Sequence, residues 1–227
     1  MKAASTPAVV FRLGRRPDPW SWPDWRFAGP DGTFGNRFDD PQGLYRVLYA
    51  STQRLATFVE CLAPFRSDPE IIAEYAAIVA SDGDDEPPSP GDVPISWIEA
   101  RCVGTAELTG DYVELGHHQT LAELRRALAG RVVHYGMHEL NAAAIRLTAP
   151  RAFTQEISRY VFDETINGAR RWNGIAYRSK HGDDLDNWAV FEPATPATIA
   201  IESFDASDRD LDAALYLLGL HLSPPNS

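Results

Sequence analysis

The sequence predicts a single mixed α/β domain, an α+β arrangement in which a mixed β-sheet carries peripheral helices. Short runs of β-branched and aromatic residues and amphipathic helical patterns share the chain from end to end. The 227 residues suffice for one large core. The clearest shift in composition, SDGDDEPPSPGDVP at 81–94, is followed by more of the same mixed pattern. It therefore reads as an exposed acidic loop inside a domain spanning 9–222, with loose tails at 1–8 and 223–227.

Taken in order, Val9, Val10, Phe11 and Leu13 form a short strand that carries Arg12. The proline spacing from Pro17 to Pro23 forbids regular helix, and three tryptophans within positions 20–25 predict an ordered, packed loop, with a flap over a pocket as the other reading. Residues 29–43 hold four glycines and two prolines and form turns around Arg37 and Phe38. A strand from Leu44 to Tyr49 leads to Ser51, a good helix cap, and to a helix whose Leu55, Phe58, Val59 and Leu62 share one face. Glu60 lies on the other side among small or neutral residues (Gln53, Ala56, Thr57, Ala63), a composition unlike that of a freely solvated face.

A second helix is predicted from Asp68 to Val79. Beyond the acidic stretch come a strand-like segment, Ile95–Leu108, and a helix from Thr120 to Ala129 ending at Gly130. The stretch 131–153 gives no clear pattern. Thr154 caps a helix running through Ile166 and closed by Gly168. Gly174–Ser179 and Asn187–Phe191 form a hairpin around a polar turn, Thr198–Phe204 adds a strand, and Ser207 caps a last helix with Leu211, Ala214, Leu215 and Leu218 facing inward.

With 32 acidic against 21 basic residues the net charge is −11, which disfavours direct nucleic-acid binding. No apolar run approaches membrane-spanning length and no signal-peptide pattern opens the chain, so a cytoplasmic protein is expected. Two cysteines, Cys61 and Cys102, fit free thiols in a reducing compartment. Phosphate-loop, dinucleotide-fold, nucleophile-elbow and zincin motifs are absent, and the His134–His138 spacing lacks a third ligand, so neither a metal nor a permanently bound cofactor is expected.

The informative residues are Arg12 in F-R-L-G, Arg37 in F-G-N-R-F-D-D-P, Tyr49 in L-Y-A-S, Glu60 eleven positions later, and Ser179 in I-A-Y-R-S followed by N-W-A-V-F with Asn187. Their order and context over residues 9–192 resemble the RES domain, named for an Arg, a Glu and a Ser, whose members include bacterial toxins paired with Xre-type antitoxins. Where that family tends to show G-R-W-N or G-R-F-N, this chain has Asn36-Arg37-Phe38-Asp39.

The resemblance implies an ADP-ribosyltransferase-like fold with a split or curved sheet and a pocket that binds and cleaves NAD⁺. Glu60, Arg37 and Ser179 are then the expected catalytic residues, and Arg12, Arg37, Tyr49, Ser179 and Asn187 the expected NAD⁺ contacts. The residue chemistry suits this. A carboxylate stabilises the cationic sugar formed as nicotinamide leaves, and arginine forks hold a pyrophosphate. The expected activity is phosphorolysis or hydrolysis of NAD⁺, with inorganic phosphate as one acceptor and an antitoxin as protein partner. Modification of a protein target is the alternative acceptor choice, and a catalytically inactive nucleotide- or protein-binding module the alternative from another class.

Overall fold

The computed structural model of the chain describes residues 1–66 and 91–223; the helix predicted from Asp68 and the acidic residues 81–90 lie outside them, as do residues 224–227. In chain order the strands are β1 (Val10–Arg15), β2 (Val47–Ser51), β3 (Asp92–Pro94), β4 (Arg101–Glu107), β5 (Tyr112–Glu114), β6 (Thr165–Ile166), β7 (Ala169–Arg170), β8 (Gly174–Arg178), β9 (Asp186–Phe191), β10 (Ala197–Glu202) and β11 (His221–Ser223). The helices are α1 (Arg54–Leu62), α2 (Ile95–Glu99), α3 (His118–Ala127), α4 (Ala129–His134), α5 (Arg151–Asp163) and α6 (Arg209–Leu218), with a π-helical turn at Ala144–Thr148. Among the described residues no helix is long and apolar enough to cross a membrane.

Seven strands form one mixed sheet in the order β10–β4–β1–β2–β9–β8–β5, antiparallel except for the parallel pair β5–β8. The sheet is split at its centre. β1 pairs with β4 along its whole length, yet meets β2 at one position, Phe11 opposite Ser51. In the gap the half-buried Arg12 donates from Nε to the Pro19 carbonyl at 2.7 Å and from Nη1 to the Tyr49 carbonyl at 2.6 Å. A guanidinium thus takes the place of the missing ladder bonds, satisfying acceptors that the divergence of the strands leaves bare.

Each half has its own cover. α1 and α6 pack on Leu13 and Val103 of one half through Phe58, Leu62, Leu211 and Leu215. On the other half, Val47, Ile175 and Phe191 lie beneath Leu124, Phe153 and Ile157 of α3 and α5. The opposite face gathers Val10, Leu48, Trp188 and Val190 under Trp20. The tryptophan segment is an ordered loop, as its composition predicts: Trp20 is buried, and its ring and Pro19 lie so close to Gly104 that a Cβ there would fall within 2.3 Å of the indole nitrogen.

Several local expectations are corrected. Ser51 is no helix cap but the last residue of β2, and α1 begins at Arg54 after Gln53. Ile95–Leu108 divides into α2, one helical turn that starts directly after Pro94 and ends at its cap residue Ala100, and β4. Thr154 sits inside α5, which starts at Arg151 after Pro150, and the chain beyond Asp163 folds into the β6–β7 hairpin around Asn167 and Gly168, at φ 53° and 78°. The N-terminal residues are not loose. Ala3 bridges Val113, the Ala4 N–H donates to Tyr112 O, and the Glu114 N–H donates to Lys2 O, covering what would be the bare edge of β5.

Asp208, rather than Ser207, caps α6, accepting from the N–H groups of Asp210 (3.0 Å) and Leu211 (3.2 Å). It also takes a two-pronged bond from Arg54 at the start of α1, 2.9 and 2.6 Å, which locks the helix carrying Glu60 to its neighbour. Those bonds hold the Asp208 carboxyl below its ordinary range. Replacing Asp208→Ala is expected to cost about 2–3 kcal/mol, a lost cap plus a lost charge-assisted pair, measured by urea unfolding at neutral pH. A depressed native pKa stabilises above the unfolded value, so the gap between wild type and variant should close as pH falls below about 4.

Candidate functional site

Arg37 lies in a loop with no strand or helix of its own, and four consecutive carbonyls of that loop are bonded by one face of α5. Arg151 donates to Gly35 O (2.7 Å), Gln155 to Asn36 O (2.9 Å), Thr154 to Arg37 O (2.7 Å) and Ser158 to Phe38 O (2.5 Å). The spacing 151, 154, 155, 158 is that of a single helical stripe, here polar instead of apolar. The Arg37 guanidinium donates from Nη2 to the Ile145 carbonyl and lies over the Phe38 and Tyr177 rings, 5.3 and 5.8 Å from their centroids.

The two positions at which this loop departs from the G-R-F-N pattern are bonded to each other. Asp39 accepts from the Asn36 backbone N–H at 2.7 Å, the Asn36 side-chain amide at 2.8 Å and the Tyr49 hydroxyl at 2.8 Å. Burial raises the Asp39 pKa, and the bonds from Asn36 and Tyr49 oppose that rise. The Tyr49 hydroxyl in turn accepts from Phe38 N–H at 2.9 Å. Tyr49, expected to touch the ligand, thus fastens the Arg37 loop from beneath, and burial lifts its phenol well above its ordinary pKa.

Strand register brings the next members onto one face: Tyr49 pairs with Ala189, Ser51 with Asn187, and Tyr177 with Asn187. Asn187 is almost fully buried and bridges two elements, accepting from Ser51 Oγ at 2.5 Å and donating from Nδ2 to Glu60 Oε1 at 2.8 Å. What approaches the small-residue side of α1 is therefore this amide from β9. The Glu60 carboxylate also acts electrostatically on Arg37, whose pKa is lowered by burial, and on Tyr177, whose pKa burial raises.

Beside these residues is a cleft of about 660 Å³ at the end of β8, where β5 has already stopped pairing. Arg37, Tyr177 and Asn187 line it, together with Arg146 and Arg178. Arg12, Tyr49, Glu60 and Ser179 do not; Glu60 stands behind Asn187, which holds its carboxylate. Arg12 reaches the seam from the opposite face and bonds main-chain carbonyls. Ser179 is buried where the hairpin turns; its N–H donates to Leu185 O at 2.8 Å, and its Oγ accepts from His181 N–H at 2.9 Å. His181, in the same turn, keeps a buried Nε2 without a hydrogen-bond partner, and burial lowers its pKa against the pull of Glu60. Sequence reasoning missed Arg146 altogether. It stands in the unassigned stretch 131–153, on a π-helical turn, a rare geometry that recurs at functional sites.

Tyr49→Phe is expected to lower stability by about 1–3 kcal/mol in urea unfolding, because the Phe38 N–H loses its acceptor and Asp39 a donor in a buried setting. A Tyr49 that served only to lay its ring against a ligand would leave the midpoint unchanged, because phenylalanine keeps the ring.

No family model matches the sequence, and no curated protein does. Among solved structures, the chain is similar to one in the crystal structure of the M. tuberculosis MbcT–MbcA toxin–antitoxin complex, with a TM-score of 0.51, 15% identity, and coverage of 96% of this chain and 92% of that one. The likeness spans nearly the whole domain, and the single mixed α/β fold is the one the two share.

Proposed function

We propose that the chain is the toxin of a toxin–antitoxin pair and acts by consuming NAD⁺ in the cytoplasm, breaking the bond between nicotinamide and ribose. The observation that carries this reading is that Arg37 and Asn187, from a loop and a strand, line one cleft of dinucleotide size, and that Asn187 holds the carboxylate of Glu60 directly behind it. The resemblance to RES domains supports it, as does the fold shared with a chain of a toxin–antitoxin complex. An Xre-type antitoxin is the proposed partner, covering the cleft.

Nicotinamide leaves as a neutral ring, and positive charge develops on the ribose. Asn187 holds Oε1 of Glu60, which leaves Oε2 to accept from a ribose hydroxyl and sets a negative charge against the developing cation. The Arg37 fork, kept in place by the α5 stripe, faces phosphate oxygens. Phosphate or water then takes the ADP-ribosyl group, or, in the alternative, a protein side chain does. One observation favours a binding module without catalysis: Arg12 and Ser179 are both engaged with main-chain groups.

Nicotinamide release from NAD⁺ by purified protein, with and without phosphate, tests the reading. Glu60→Gln is expected to keep the fold and most NAD⁺ binding while turnover falls roughly 10²–10³-fold, the loss typical of one transition-state stabiliser. Binding of NAD⁺ without any nicotinamide release from the wild type would establish the module instead.

A further inference from the structure

Two guanidinium groups are tied to one turn. The Arg37 Nη2 donates to the carbonyl of Ile145, the residue next to Arg146, and both side chains line the cleft. Like charges brought together repel; burial, with Arg146 adding to it, lowers the hold of Arg37 on its proton. The lining of the cleft holds three guanidinium groups, Arg37, Arg146 and Arg178, against three carboxylates, Glu114, Asp183 and Asp186. Arg178 stands 3.8 Å from Asp186, and among the described residues no carboxylate makes a salt bridge with Arg37, while Asp183, on the turn between β8 and β9, forms an ion pair with Arg146 Nη1. The partners differ sharply in exposure, however. The Arg146 side chain is three-quarters covered, whereas Asp183 is 80% exposed. The Arg146 Nε–H is also buried with no hydrogen-bond partner, a desolvated donor whose bonding the Asp183 contact does not complete.

We infer that Arg37 and Arg146 together form the diphosphate-binding pair of the cleft, and that the Asp183 carboxylate stands in for a ligand oxygen until the ligand displaces it. This deepens the NAD⁺ reading and rests on it for the identity of the natural ligand. It also moves a role. The second guanidinium on the diphosphate is Arg146 from the π-helical turn, and Arg12 serves the seam of the sheet. Two planar forks on one wall match two linked phosphates, each fork taking a pair of oxygens. An exposed aspartate on a polar turn is easily displaced, because water solvates its carboxylate as soon as it leaves.

The test uses ADP, which carries the diphosphate without the nicotinamide ribose, in calorimetric titrations of wild type, Arg146→Gln and Asp183→Asn. Arg146→Gln is expected to weaken ADP roughly 10–100-fold, the effect of losing a charge-assisted pair of bonds. Asp183→Asn is expected to tighten ADP several-fold, since it removes a competing anion. A merely structural ion pair predicts the opposite sign for Asp183→Asn, so weaker binding by that variant overturns the inference, as does wild-type affinity in Arg146→Gln. Should Arg146→Gln fold poorly, Arg146→Lys keeps the charge and loses the fork, and an intermediate affinity is expected. On the catalytic side, Arg146→Gln should reduce the preference for NAD⁺ over nicotinamide mononucleotide, which has one phosphate, by a similar factor. ADP binding that depends on Arg146 without nicotinamide release would sink the catalytic reading alone; nicotinamide release with ADP binding indifferent to Arg146 would sink this inference alone.

Discussion

A loop without regular structure has to hold a charged side chain still, and the polar stripe of α5 is what makes that possible. Backbone carbonyls outside helices and sheets need partners wherever water is excluded. Arg151, Gln155, Thr154 and Ser158 supply them to Gly35, Asn36, Arg37 and Phe38 in turn, so the loop is held along one stripe of a helix. The Tyr49–Asp39–Asn36 network closes the same loop from the sheet side. Held from both sides, Arg37 is presented to the cleft with its geometry set before any ligand arrives, which is what preorganised recognition of an anion requires.

The split in the sheet gives the cleft its surroundings. Continuous pairing of β1 with β2 would bring the two helical covers together over one flat surface; their divergence after Phe11 and Ser51 leaves α1 standing over the junction, with Glu60 within reach of β9. Arg12 makes that divergence tolerable. Its place in a strand next to a proline-rich loop now has a structural explanation, because Pro19 and Tyr49 offer carbonyls that no strand covers.

Much of this was legible in the sequence where local pattern and tertiary need agree. The β8–β9 hairpin followed from two strand-like runs joined by a polar turn, and α6 from the spacing of Leu211, Ala214, Leu215 and Leu218. Errors arose where two meanings fit one residue. Ser51 suits a helix cap, but its hydroxyl bonds Asn187 across 136 positions, a partner no local window contains. Asn167-Gly168 suits the end of a helix and equally a tight hairpin turn, and the chain uses it as the turn. The exchange of glycine and asparagine for Asn36 and Asp39 looked like two separate departures; only the folded loop makes them one bonded pair. Arg146 carried no signal at all, since a π-helical turn has no apolar periodicity to betray it.

The position of β9 in the sheet has a consequence for synthesis. It is the strand that joins β2 to β8, and it brings the amide that connects Ser51 with Glu60, so the chain has to be made as far as Phe191 before its central wall exists. Until then the carboxylate of Glu60 lacks the amide that holds it. On the ribosome the nascent chain therefore gains this wall only when its last third, which carries both strands of the β8–β9 hairpin, docks against β2.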